Sequence, residues 1–205
     1  MENIIGFINA IAGLLVAFTA FAVKFVEVTK SVKETSLPKK IKKQLVIDNE
    51  IISKIEYLKE FLVADRIQIY DFHNGGHYAN GRSALKVSCT YESVRAGIKS
   101  YQSELQAIPL TCIPKFTQKL LDDSELLINN IEEIKESMPL TYVLKKNQEV
   151  RSFYDIIINN EKGEPIGFLG IQYNKLNSIN YNTEQHNQIL KVKYFVEEKL
   201  SKFSK

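Results

Sequence analysis

The chain has 205 residues, of which 44% are hydrophobic, 25% charged and 10% aromatic, a composition that excludes disorder for its bulk. Its length suits one ordinary domain of roughly 100–150 residues plus an appendage, and a formal charge of +3 is too weak to predict a nucleic-acid partner. The charge is local: residues 24–54 carry eight lysines against Glu27, Glu34, Asp48 and Glu50, a basic collar that directly follows an apolar N-terminus.

Residues 4–23 form a run of twenty without a charge. As a helix it measures about 30 Å, the thickness of a bilayer's hydrocarbon layer, and Asn9 and Thr19, its strongly polar members, are tolerable within a membrane helix. A cleaved signal peptide would need its positive charges before the apolar run, whereas here they follow it. The run predicts a single-pass anchor in the inner (plasma) membrane, with the N-terminus outside and everything after Lys24 in the cytoplasm. Gly6, Ala10, Gly13, Ala17 and Ala20 align small residues along one helical face, which favours self-association of two such helices.

Leu37-Pro38 predicts a break, because proline disfavours helix in the residue before it. A helix over 39–63 is expected next, with Ile41, Leu45, Ile52, Ile55, Leu58 and Leu62 as its apolar stripe. Residues 66–73, rich in branched and aromatic side chains and followed by Asn74-Gly75-Gly76, read as a strand running into a turn. A second strand over 83–91 puts Leu85, Val87, Cys89 and Tyr91 on one face by alternation. A helix is expected over 91–102 and another over 115–121, then a short strand over 125–129. Residues 150–158 and 165–173 are the clearest strand pair, joined by a polar connection in which Gly163 supplies the positive φ. The last segment, 183–203, places Ile189, Val192, Val196 and Leu200 on one helical face, with Thr183 as N-cap. Helices flanking a sheet of about five strands make an α+β or α/β sandwich.

Arg151-Ser152-Phe153-Tyr154-Asp155-Ile156-Ile157-Ile158, the turn at Glu161-Lys162-Gly163-Glu164, the strand Ile166-Gly167-Phe168-Leu169-Gly170-Ile171 and a terminal helix opening near Glu184 together resemble the second half of a GAF domain. The block from His73 to Ser83, followed by Lys86-Val87-Ser88-Cys89-Thr90-Tyr91-Glu92, is similar to GAF-like proteins of bacteria and their phages. The resemblance implies an α+β fold with a central antiparallel sheet, preceded here by one transmembrane helix. With the apolar run and the lysine collar, it divides the chain into an anchor (1–25), a basic juxtamembrane linker (26–38) and a cytoplasmic GAF-like domain (39–205). It further implies binding of a small molecule or a partner protein, pairing through terminal helices into a homo-oligomer, and no catalysis.

Asp71 and His73 leave one strand face about 7 Å apart, and Asn74, Tyr91, Glu92 and Arg151 complete the expected ligand-binding set. The plain structural alternatives are Asp71 capping the turn with His73 bonded to backbone, Asn74-Gly75 simply reversing the chain, Glu92 and Arg95 as a helix-surface pair worth a few tenths of a kcal/mol, and Arg151 as the ion-pair partner of Asp155. His73 and His77 lack a third ligand nearby, so no metal is expected. Cys89 on the apolar face reads as a core hydrophobe rather than a nucleophile. No cofactor fingerprint is present, and the cofactor is left unnamed. The alternatives to a sensory domain are a structural or interaction protein of the membrane, of phage origin acting at the host membrane, and an enzyme using an Asp71/His73/Glu92/Arg151 crevice.

Overall fold

A computed structural model describes residues 2–201; for 2–17 and 27–37 it describes the helical backbone alone. The first helix, α1 (Glu2–Leu62), contains Pro38, so the expected break does not occur. A proline inside a helix removes one intrahelical bond at about 3 kcal/mol; Lys39, Lys40, Lys42, Lys43 and Gln44 beyond it are strong helix formers that sustain the next turns. Among the described residues no helix is long and apolar enough to cross a membrane. The predicted anchor falls mostly outside them, since the side chains of 4–17 are not described.

The chain forms two compact units, Met1–Asp48 and Asn49–Lys205. In the first, Phe18, Phe21, Val23, Phe25 and Val26 are all exposed. Ile41 and Leu45, the first two members of the expected apolar stripe, are exposed too.

The second unit is built on β1 (Arg66–His77), β2 (Ser83–Val94), β3 (Ile108–Pro109), α2 (Pro114–Asp123), β4 (Glu125–Ile128), α3 (Pro139–Asn147), β5 (Ser152–Asn159), β6 (Pro165–Tyr173) and α4 (Thr183–Ser201). The strands form one six-stranded sheet in the order β3-β2-β1-β6-β5-β4, antiparallel throughout. The hairpin β5–β6 turns at Gly163, whose φ is +78°, as its sequence predicts. The helix expected over 91–102 is absent: β2 runs on to Val94 and the chain then passes through turns. A two-residue β3 and the helix α3 were not expected.

The two faces of the sheet carry separate cores. One bears Tyr70, Val87, Cys89, Phe153, Ile157 and Phe168 and is covered by Phe116 and Leu120 of α2, by Ile131 and Ile134 of a short 3-10 turn, and by Met138 and Tyr142 around α3. The other bears Ile67, Ile69, Leu169 and Ile171, buried with Ile51, Ile55 and Leu58 of α1 and Ile189, Val192 and Val196 of α4. Tyr173 reaches the Leu62 carbonyl at 3.4 Å on this side. The buried α1 residues fall at helical spacings of three and four.

A register shift lies in β1–β2, where Ile69 pairs with Tyr91 but Tyr70 pairs with Cys89, leaving Thr90 as a bulge. One extra residue exchanges the faces of everything beyond it. Cys89 and Val87 therefore stay with Tyr70 on the α2/α3 face, while Tyr91 turns to the α1/α4 face and Glu92 joins Gln68. The expected alternation of Leu85, Val87, Cys89 and Tyr91 holds only as far as Cys89.

Candidate functional site

The six residues expected to bind a ligand do not meet. Asp71 and His73 follow Ile69 at intervals of two and lie on the α1/α4 side of β1, as does Tyr91 opposite Ile69. Glu92 lies on the other face, bonded to Gln68. Asn74 is exposed and its side chain accepts the Gly76 amide at 3.0 Å, a turn-closing bond. Arg151 is exposed; its amide donates to Tyr173 at 2.8 Å, near the end of the sheet where β1 begins. His73 lies seven residues farther along β1, roughly 23 Å at about 3.3 Å per residue. The Asp71/His73/Glu92/Arg151 crevice is therefore not formed: Asp71 and His73 leave one face of the sheet and Glu92 the other, and Arg151 lies near the opposite end of the strands.

His73 Nε2 meets Ser88 Oγ at 2.9 Å. Burial raises the Asp71 carboxyl above its ordinary value, against the opposing pull of the Thr90 hydroxyl and His73. Burial also raises the Cys89 thiol, reinforced by Glu92, which leaves it a protonated core side chain.

The α2/α3 face instead carries a buried polar row that begins with Arg66, Gln68 and Tyr70, every second residue of β1. Arg66, 1% exposed, donates to Gln172 Oε1 at 2.9 Å and to the Lys99 carbonyl at 2.8 Å. Its Nε lies 3.3 Å from Glu92, and its guanidinium stacks over the Tyr101 ring at 4.9 Å. Gln172 donates to Gln68 Oε1 at 2.6 Å, Tyr70 donates to the same oxygen at 2.7 Å, and Gln68 donates to Glu92 at 2.7 Å. Glu92 also accepts the amides of Tyr101 and Gln102 at 3.0 and 3.1 Å, and the Ser100 hydroxyl. Arg66 and Glu92 thus pin the turn 99–102 to the sheet.

Beyond Tyr70 the row reaches Lys145 of α3 and Asp155 of β5. Lys145 Nζ lies 3.4 Å from Asp155 Oδ2 and 4.3 Å from the centre of the Phe153 ring. Burial lowers the Lys145 ammonium and raises the Asp155 carboxyl from their ordinary values, each opposed by the charge of the other. Sequence reading paired Asp155 with Arg151; its partner is Lys145, because β5 turns Asp155 inward under α3 while Arg151 stays exposed.

Lys145 and Gln148 line a chamber of about 40 Å³ with Tyr70, Phe116 and Phe168. Tyr70 and Phe168 stack at 4.5 Å, and Phe116 meets Phe168 edge-on at 5.7 Å. The Gln148 side chain is 5% exposed, and neither its Oε1 nor Asp155 Oδ1 accepts a hydrogen bond from the described residues. Buried acceptors are normally satisfied, and of these two it is Gln148 that lines the chamber and marks a place there for a donor, whereas Asp155 Oδ1 lies against Gly170. Ile113, Phe116 and Thr141 are shared with a second, apolar groove of about 210 Å³, lined also by Cys112, Pro114, Met138, Pro139 and Leu140. Both helices that frame it begin with proline at their first turn, where the missing N–H costs nothing.

None of Arg66, Gln68, Tyr70, Lys145, Gln148 and Gln172 was expected as a site residue. The polar alternation Arg66-x-Gln68-x-Tyr70 was a readable signal of a polar row on one strand face; Lys145 and Gln148, polar residues on a short helix, carry none.

The fold is GAF-like. The chain superposes on the phycocyanobilin-bound GAF domain of a cyanobacterial phytochrome with TM-score 0.58 at 16% identity, over 80% of this chain and 88% of that one. It is similar to the blue-light-absorbing form of a Thermosynechococcus elongatus GAF domain with TM-score 0.57 at 15% identity, over 80% and 90%. It is also similar to the GAF domain region of a proposed membrane protein of Geobacter sulfurreducens PCA, with TM-score 0.51 at 16% identity, over 79% and 97%. No family model matches the sequence, and no curated relative matches it either.

Proposed function

We propose that this protein is a membrane-tethered regulatory domain that binds a small molecule in the chamber between the sheet and α3. The observation that carries the reading is the buried, unpartnered acceptor Gln148 Oε1 in the wall of a cavity that Lys145 and aromatic rings also line. Left without a donor, the buried Gln148 Oε1 would be a net loss of stability, which a bound polar group removes. Ligand-bound GAF domains among the structural neighbours support the same reading. The chamber and groove together fall short of the roughly 300–1,000 Å³ of sites for drug-sized ligands, which points to something much smaller than a tetrapyrrole.

Tethering is supported by the charge-free run 4–23 with its lysine collar and by the exposed Phe18, Phe21 and Phe25. Exposed Tyr57 on α1 and Tyr194 on α4 support pairing of two copies through these helices. The domain would then report ligand occupancy, at the cytoplasmic side, to a separate chain.

Native mass spectrometry of the full-length chain in amphipol tests the reading, with Leu144→Phe as the variant that fills the chamber. The expected result is a small compound retained by the wild type and lost from the variant while both stay folded. A wild type that carries nothing, and whose unfolding temperature a metabolite extract leaves unmoved, overturns it.

A further inference from the structure

We infer that the ligand is an uncharged amphiphile, with an amide-like head in the Lys145/Gln148 chamber and a short apolar tail in the Met138/Leu140 groove. The inference rests on the ligand-binding reading and names the chemistry of that ligand.

The head follows from the polar atoms. Gln148 Oε1 is a buried acceptor without a donor among the described residues, and it lines the chamber. Lys145 lines the same chamber; its ammonium has three donors, and one is directed at Asp155. A head that both donates and accepts at adjacent atoms, as a primary amide does, gives an N–H to Gln148 and takes a hydrogen bond from Lys145.

Charge excludes the alternatives. The buried ions near the chamber come as two matched pairs, Lys145 with Asp155 and Arg66 with Glu92. An added carboxylate, phosphate or ammonium would be desolvated there without a counterion, at several kcal/mol. An uncharged head escapes that penalty.

The tail follows from the adjoining groove. Ile113, Phe116 and Thr141 line both spaces, so the groove between the starts of α2 and α3 adjoins the chamber and is the nearest apolar space for a tail carried by a head at Gln148. The groove lining contains one charged residue, Lys115, which is exposed and keeps its head in water while its stem covers apolar surface. At about 210 Å³ the groove suits a short aliphatic chain.

The sequence contains two methionines, Met1 and Met138, and Met138 lines the groove. Full-length chain labelled with 13C-methyl methionine in amphipol therefore gives one reporter in the site and one far along the sequence. Hexanamide is titrated against hexanoate and hexylamine, on the wild type and on Gln148→Leu. The expected result is a saturable shift of the Met138 methyl with hexanamide, Met1 unmoved, about tenfold weaker responses to both charged analogues, and about tenfold weaker hexanamide binding in Gln148→Leu. The variant's unfolding temperature, which should not fall, separates lost binding from lost folding.

A Met138 response to hexanoate or hexylamine as strong as to hexanamide overturns the uncharged head and leaves the ligand site standing. So does an unchanged affinity in Gln148→Leu for the part assigned to that residue. Silence toward all three probes, while Leu144→Phe still strips a copurified compound, overturns the chemical class alone. Silence together with no copurified compound removes the ligand reading itself.

Discussion

Gly170 lies directly across from Asp155 in the β5–β6 ladder, and a Cβ at residue 170 would stand 2.7 Å from Asp155 Oδ1. The missing side chain is what lets the carboxylate lie flat against β6 and point at Lys145. Gly170→Ala must push that carboxylate off its ammonium in a site without solvent. The variant is expected to lose roughly 3 kcal/mol of stability, read as a lower urea midpoint at unchanged slope. A loss below about 0.5 kcal/mol would mean that Asp155 has another place to go.

The Lys145–Asp155 pair is expected to be a stability burden that becomes costly only when half of it is removed. Lys145→Met or Asp155→Leu alone should destabilise by about 3–5 kcal/mol, whereas the double variant should equal or exceed the wild type by about 1–4 kcal/mol. A double-mutant cycle under one buffer condition decides this.

The same pair fixes the direction of the pH dependence. Burial raises the Asp155 carboxyl above its ordinary 3.8, so the folded state holds that proton longer than the unfolded chain. The contribution of this group to stability is fully present below the unfolded value and is lost as pH rises through the folded one. Lys145, lowered from 10.5, runs the opposite way: its contribution is present above the unfolded value and lost as pH falls through the folded one. Unfolding midpoints measured upward from pH 4 should therefore decline in the wild type relative to the double variant, and a relative rise would contradict the raised Asp155.

Glu92 should act as a clamp on the turn 99–102 rather than as a ligand contact. Glu92→Ala removes the acceptor of the Tyr101 and Gln102 amides and leaves Arg66 without its carboxylate. Hydrogen exchange at these two amides should accelerate about tenfold or more, corresponding to a lost bond to a charged group, while the amides of β5 keep their protection. Uniform acceleration across the sheet would assign Glu92 to global stability instead.

Substitutions at two exposed residues of the expected site should be quiet. His73→Ala and Arg151→Ala are predicted to stay within about 0.5 kcal/mol of the wild type and to retain any compound that the wild type copurifies. Thermal unfolding with native mass spectrometry checks both, and loss of the compound in either variant would return that residue to the site.

What the sequence disclosed follows from how local each signal is. The hairpin 152–173 and the helix from Thr183 were legible because strand alternation, a glycine turn and apolar helical spacing are local signals. The cap, however, is Asn182 rather than Thr183, since Asn182 Oδ1 accepts the Gln185 amide at 2.9 Å and the Asn182 amide donates to Gln185 Oε1 at 3.0 Å. The stretch after Tyr91 was misread because Glu92 and Arg95 at a spacing of three suggest a helix surface. Their partners are instead distant in sequence: Glu92 receives the 100–102 turn, and Arg95 lies 3.2 Å from Asp65. Pro139 after Met138 was an unused helix-start signal for α3. The polar side chains at the end of β1 are chemically conspicuous in the sequence, yet His73 and Asn74 are exposed and line neither the chamber nor the groove. Lys145 and Gln148 became site residues only through burial, which is decided by the packing of α3 on the sheet and leaves no mark in the spacing of residues 139–148. The bulge at Thr90 likewise has no local signature, and it alone decides which of Cys89, Tyr91 and Glu92 share a face.

The placement of β1 beside β6 sets the order in which this protein can be made. Arg66 and Gln172, bonded across the two central strands of the sheet, stand 106 residues apart in the chain, so a nascent polypeptide presents β1 and β2 long before their neighbour leaves the ribosome. Until then Ile67 and Ile69 lack the strand and the C-terminal helix that bury them, and closing so long a loop is slow. The sheet closes only with the last third of the chain. Biogenesis of this protein should accordingly depend on holdase chaperones during elongation, and truncations anywhere before β6 should yield aggregates rather than smaller folded pieces.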